Sequence, residues 1–301
     1  MINLHKKGQG KLKTLYFDCF SGISGDMVIG ALIDAGADPN RLAAELKKLH
    51  IEDEYKLTWK KLVKNGITST KFDVVLMNNV QSHHHDHEHE HEHHHDHEHA
   101  HDHDHYHEHQ HKHEHHHDHQ HDLHHDHEHH HHEHRAYKDI VGLIEKAGFD
   151  DPVKITALNI FKRIGEAEGH IHGIPLEKVQ FHEVGAVDSI IDIIGAAILI
   201  HQLEIDVVKA SPIPVGTGRI HIDHGIYPVP APATLEILKG VPIEQSDIRF
   251  ELTTPTGAAI VAVLAEEFCH IPSMKVTSIG YGAGTKTFKN HPNVLRVIIG
   301  E

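Results

Sequence analysis

Apolar residues recur along the chain with two different spacings, and the switches between them mark out the elements. A nearly unbroken apolar stretch from Thr14 to Cys19 predicts a buried strand. Small residues then punctuate a turn (Ser21, Gly22, Ser24, Gly25), and helical spacing follows from Asp26 to about Ala35. Pro39, placed in a first helical turn, opens a second helix over Arg41 to Leu49. Alternation over Lys56 to Val63 and Thr70 to Leu76 predicts a strand pair around Asn65-Gly66, a dipeptide suited to a tight hairpin. Helical spacing returns over Tyr137 to Ala147 and Val153 to His170, with Gly148 and Pro152 between them, and again over Val187 to Leu203, Ala231 to Lys239 and Gly257 to Phe268. Short strands are expected at Val207 to Ala210, Lys275 to Ile279 and Val294 to Ile299. Strands interleaved with helices predict α/β or α+β layering rather than a bundle or a sandwich.

One stretch breaks the pattern. Between His83 and His134 there is almost no apolar residue, and about three quarters of the 41 histidines lie there, mostly alternating with Asp or Glu. Such a composition cannot bury a core, so the expectation is disorder. It divides the chain into an α/β lobe over 13–80, the histidine-rich tract over 81–134 and a larger α/β domain over 135–301. The tract also explains the formal charge of −16, because it holds fifteen acidic side chains and a single lysine, Lys112. The remainder is nearly neutral and gives no basic face for nucleic acid. Cys19 and Cys269 are the only cysteines and are far apart, so neither a disulfide framework nor a thiolate zinc site is indicated. No segment approaches the length of an apolar membrane span, and the expected location is the cytoplasm.

Neutral imidazole ligates nickel, zinc and copper, and an ordinary pKa near 6.5 leaves most rings free at neutral pH. His83, His85, His87, His89, His91, His93, His95, His97 and His99 therefore begin a series of interchangeable modest sites, suited to a metal reservoir. A solvated repeat without a metal role is the bland alternative. The tract does not name its metal, since affinity alone would favour copper.

Four constellations in the rest of the chain carry candidate chemistry. In Asp18-Cys19-Phe20-Ser21-Gly22-Ile23-Ser24-Gly25-Asp26-Met27 a strand hands over to a helix. Free N–H groups and small residues there would suit an anion, with Asp18 and Asp26 on a metal or hydroxyl; a plain turn with a capping Asp26 explains the segment equally well. His182-Glu183 precedes a helix on which Asp188 and Asp192, one turn apart, put two like charges on one face of an apolar segment. Those residues are candidate metal ligands or bases. Gly216 to Gly225 contains His221 and His224, which can converge from one loop, and leads into the proline-stiffened Tyr227 to Thr234. Thr254, Thr256 and Gly257 open an apolar helix, either as an anion site or as ordinary caps.

Together with Gly280 to Gly284 and Asn293 to Arg296, the blocks DCFSGISGDM, FHEVGAVDSI, GIYPVPAPAT and LTTPTGAA resemble the LarC family of nickel insertion proteins over almost the whole chain from Lys13. The resemblance implies a lyase-class nickel insertase that places nickel in pyridinium-3,5-bisthiocarboxylic acid mononucleotide, forming carbon–nickel and sulfur–nickel bonds with CTP hydrolysis and magnesium or manganese. By their own chemistry, rather than by the resemblance, His182, Glu183, Asp188 or Asp192 are the candidates to remove the ring proton, His182, His221 and His224 to present nickel, and Asp18, Ser21, Gly22, Ser24, Gly25, Asp26, Thr254, Thr256 and Gly257 to hold the cofactor. Complete members of the family continue beyond the point matching Glu301 into a region credited with the nucleoside triphosphate site. The partners implied are the mononucleotide, nickel, a separate C-terminal polypeptide and a second copy of the chain. The alternative is a non-catalytic nickel store or metallochaperone; a zinc hydrolase using His182, Glu183 and His221 lacks a compact H-E-x-x-H motif.

Overall fold

The computed structural model describes residues 11–77, 135–181, 184–222 and 225–301. The histidine-rich tract and its expected disorder therefore lie outside the described residues, as do His182, Glu183 and His224.

The centre of the molecule is a mixed seven-stranded sheet in the order β2-β3-β10-β11-β1-β4-β9. Strand β1 (Thr14–Asp18) lies in its interior: Leu15, Tyr16 and Phe17 are buried, as an apolar run requires. It pairs antiparallel with β11 (Val294–Gly300), from Thr14↔Gly300 to Asp18↔Arg296, and parallel with β4 (Val207–Ala210), which in turn carries the two-residue edge strand β9 (Glu267–Phe268). On the other side β10 (Val276–Ala283) runs antiparallel to β11 and meets β3 (Ile67–Leu76) at Gly282↔Thr70. Strand β2 (Tyr55–Lys64) closes that edge as a hairpin with β3, turning at Asn65 and Gly66, both at positive φ as the dipeptide predicts.

The sheet joins what the sequence pattern had placed in two lobes. A strand from the first stretch sits between two from the last, so the described parts of 13–80 and 135–301 share one core. Helix α1 (Gly25–Asp34) lies on β10 and β3; α5 (Val187–Gln202) packs on α1, and α4 (Asp151–His172) and α7 (Pro255–Leu264) extend that layer. The contact of α1 with the sheet is unusually close because glycines face it. A Cβ at Gly282 would stand 1.8 Å from the Met27 carbonyl oxygen, and one at Gly280 would stand 2.1 Å from that of Ala31. At the far end of α1, Asp34 accepts from the Tyr281 N–H (2.9 Å), from Thr70 Oγ1 (2.7 Å) and from Lys61, fastening the helix to three strands.

Helices α2 (Pro39–Leu46), α3 (Tyr137–Lys146) and α6 (Pro232–Ile237) complete the described set. Two expectations shift. The helix expected over Gly257 to Phe268 ends at Leu264, and Glu267 and Phe268 turn into a strand parallel to β4, a long-range pairing that local spacing does not reveal. The loop expected around His221 is a hairpin, β6 (Arg219–Ile222) with β7 (Gly225–Pro228), and β5 (Ile213–Pro214) pairs with β8 (Ile243–Glu244). Met77 donates its N–H to the Glu54 carbonyl (2.9 Å), and Arg135 meets the Glu54 carboxylate at 2.5 Å. Among the described residues no helix is long and apolar enough to cross a membrane.

Candidate functional site

Three helices begin around one cleft of about 370 Å3, whose lining includes Ser24, Gly25 and Asp26 of the α1 start, Asp188 and Asp192 of α5, and Thr254 and Thr256 of α7. The first N–H groups of a helix lack intrahelical partners and carry a partial positive charge, so the cleft gathers three such ends. Its opposite wall is β3, from Lys71 to Val74. Among the described residues the lining is strongly biased: Asp26, Asp73, Asp188, Asp192 and Glu251 face the cleft against one cation, Lys71.

Asp192 is the unusual member. Gly25 has no side chain to fend it off, since a Cβ there would be 2.5 Å from the Asp192 Cβ and Oδ2. The carboxylate therefore presses against the first turn of α1 and accepts the Asp26 N–H. Ser24, at the N-cap of that helix, makes no capping bond of its own, so Asp192 supplies one from a neighbouring helix. Its Oδ1 is out of contact with solvent and has no hydrogen-bond partner among the described residues. Burial pushes the Asp192 carboxyl well above the ordinary range, and the nearby Asp26 and Asp188 charges add to the shift.

A second group keeps Asp26 in place. Lys71, buried, reaches Asp26 Oδ2 and Asp73 Oδ1 at 2.7 Å each and donates to the Phe72 carbonyl at 2.9 Å. Burial alone would lower the Lys71 ammonium; Asp26 and Asp73 override it and hold it above its usual value. Ser24 donates to the other oxygen of Asp26. Thr254 caps α7, its Oγ1 accepting from the Gly257 N–H at 3.2 Å.

Of the residues singled out from the sequence, Ser24, Gly25, Asp26, Asp188, Asp192, Thr254 and Thr256 come together here. Asp18 does not: it pairs with Arg296, whose Nε is 2.7 Å from Oδ2, across the sheet from β1 to β11. Ser21, fully buried, bonds His291 at 2.7 Å and so ties the β1–α1 turn to the segment that precedes β11. Gly22 and Gly257 serve close packing, since a Cβ at either would lie 2.0 Å from a carbonyl oxygen, of Leu252 and Ile23 respectively. His221 is exposed on β6, while His182, Glu183, His224 and the nine histidines from His83 to His99 lie outside the described residues. Among the described residues no three His, Cys, Asp or Glu side chains converge on a metal position. Sequence reasoning missed Lys71 and Asp73. The sequence carried no signal for either, since both sit in a segment that reads only as an alternating strand, and the burial of Lys71 comes from the fold.

Fold and site thus define a class: an α/β protein with an acidic cleft, sized for a small charged ligand, where three helices start. The family is settled by comparison, for residues 15–301 match the family described as nickel insertion protein, and the chain belongs to it. It is 47% identical to the pyridinium-3,5-bisthiocarboxylic acid mononucleotide nickel insertion protein of Geobacillus kaustophilus, over 96% of this chain and 60% of that protein. The proteins of the same name from Clostridium kluyveri (44%, over 96% of this chain and 62% of that one) and Staphylococcus epidermidis strain RP62A (43%, over 95% and 59%) are similarly related. The chain therefore spans about six-tenths of the length of the curated relatives it matches. No solved structure matches it.

Proposed function

We propose that the cleft brings nickel together with a pyridinium-3,5-bisthiocarboxylic acid mononucleotide, and that the chain contributes the insertion step that makes a nickel-pincer nucleotide. The supporting observation is Asp192, a carboxylate with raised proton affinity and an unpartnered oxygen at the meeting point of three helix starts. Insertion breaks the ring C–H bond between the two thiocarboxylates. Its electron pair becomes the carbon–nickel bond, the two sulfurs bind the metal, and the proton must go to a base. A carboxylate tuned upward accepts that proton near neutral pH better than an ordinary one.

In this reading Asp192 takes the proton, the Asp26 N–H steadies its second oxygen, and Lys71 fixes Asp26. Ser24, Gly25, Thr254 and Thr256 offer N–H and hydroxyl groups to phosphate or carboxyl oxygens. His182 and Glu183, just ahead of α5 in the sequence, are further candidate bases or ligands, and His221 and His224 present nickel drawn from the reservoir at His83 to His134. The reading extends to CTP hydrolysis with magnesium or manganese at a site outside this chain, a separate C-terminal polypeptide, self-association and a cytoplasmic location.

The test is nickel incorporation into the mononucleotide, read by mass and absorbance, by the chain with CTP and magnesium or manganese, with and without the C-terminal polypeptide. Asp192→Asn is expected to slow it by on the order of 10²- to 10⁴-fold, the usual contribution of a positioned acid or base. A variant as fast as wild type would remove the cleft from the mechanism. Inactivity of every combination, with nickel still bound to the histidine-rich stretch, would favour the storage reading.

A further inference from the structure

Charge restricts the order in which the cleft can be filled. Among the described residues five carboxylates face it, and the one lysine there is already committed to Asp26 and Asp73 at 2.7 Å each. The shielded Oδ1 of Asp192 adds an unpartnered acceptor at the same place. The mononucleotide named for the relatives carries one positive ring against two thiocarboxylates and a phosphate, so it arrives as a net anion. The helix starts offset only part of the resulting repulsion, each being equivalent to about half a charge. A divalent cation reverses the sign of the balance.

We infer that nickel enters this cleft before the mononucleotide, and that the nickel-loaded cleft is what the mononucleotide binds; the inference rests on the cleft being the insertion site. Among the described residues no three ligating side chains converge there, so those residues offer the ion few direct bonds. The sulfur donors of the incoming ligand then complete its coordination, and the metal passes to them without first being pulled from a closed protein site. Two carboxylates can be neutralised without emptying the core, since Asp73 is only half-buried and Asp188 is exposed. A single carboxylate and a ligand with two net negative charges, about 10 Å apart at an effective dielectric of about 50, repel enough to weaken binding roughly tenfold.

The experiment is equilibrium dialysis of nicotinic acid mononucleotide, a pyridinium mononucleotide that lacks the sulfurs needed for insertion, against the full chain with nickel(II) or with a chelator. Wild type is compared with Asp188→Asn and with Asp73→Asn/Asp188→Asn; all keep the stretch from His83 to His134, so nickel bound there is common to them. Nickel is expected to tighten wild-type binding at least tenfold. Asp188→Asn should bind the metal-free ligand about tenfold more tightly than wild type and the double variant about a hundredfold, both with a smaller response to nickel, a gain that mere loss of structure does not produce. If wild type binds equally well with and without nickel while the variants still change affinity, the order is wrong and the cleft assignment survives. If the variants leave both affinities unchanged, or no condition gives binding, the cleft assignment falls and the order falls with it.

Discussion

Gly282→Ala tests whether the seating of α1 on the sheet is as tight as the backbone geometry requires. The new Cβ would lie 1.8 Å from the Met27 carbonyl oxygen, 2.6 Å from the Ala31 nitrogen and 2.8 Å from the Met27 carbonyl carbon. An ordinary contact needs about 3.5 Å, and every atom struck is backbone, so no rotamer change relieves the clash. The helix has to move out by more than 1 Å, but it is anchored by Asp34 to β10, β3 and β2 and packed against α5. Overpacking that a flexible side chain can absorb costs about 1–3 kcal/mol, so this position is expected at about 3 kcal/mol or above. For a body of this size that lowers the melting temperature by roughly 6–12 °C. Gly142→Ala is the control: the same methyl group meets nothing within 4 Å in the middle of α3, where alanine gains about 0.5–1 kcal/mol over glycine. Thermal unfolding followed by circular dichroism reads both. The reasoning is refuted if Gly282→Ala melts within about 2 °C of wild type, or if the two substitutions shift the transition in the same direction.

Asp192→Asn should stabilise the protein at pH 7 to 8 while removing its proposed base. A carboxyl whose folded pKa lies above its unfolded value of 3.8 loses stability as pH rises from there through the folded value, so the advantage of Asn should shrink to nothing as melts are repeated toward pH 4; a constant difference across pH would contradict the shift. Lys71→Met strips the shared cation from Asp26 and Asp73, and urea unfolding should show a loss of about 1–3 kcal/mol, less than for a fully enclosed pair because both carboxylates keep some solvent. Thr254→Ala removes the N-cap of α7 and is expected to cost about 1 kcal/mol by the same measurement, with Thr254→Ser restoring most of it.

Local chemistry was legible and distant pairing was not. Asn65-Gly66 announced its hairpin because a tight turn is decided by the two residues in it. The spacing of Asp188 and Asp192 announced a shared helix face for the same kind of reason, and both residues line the cleft. By contrast, nothing near Asp18 in sequence discloses Arg296, and the free appearance of that aspartate dissolves once β11 lies beside β1. Lys71 reads as the outward member of an alternating strand, and only the arrival of α1 buries it against Asp26. The expected division into lobes failed on the same ground: β1 takes neighbours from the far end of the chain, and a compositional break between 80 and 135 says nothing about which strands pair across it.

Glu54 holds both Met77 and Arg135, so the two described residues on either side of 78–134 are fastened to one residue. A connection whose ends are clamped together can be lengthened or shortened at little cost, because closure entropy grows only logarithmically, by about 0.6 kcal/mol for each doubling of length. A change of length between those two points is therefore expected to cost the fold little in closure entropy. The same junction is the natural place to splice in a foreign segment, a tag or a different metal-binding sequence.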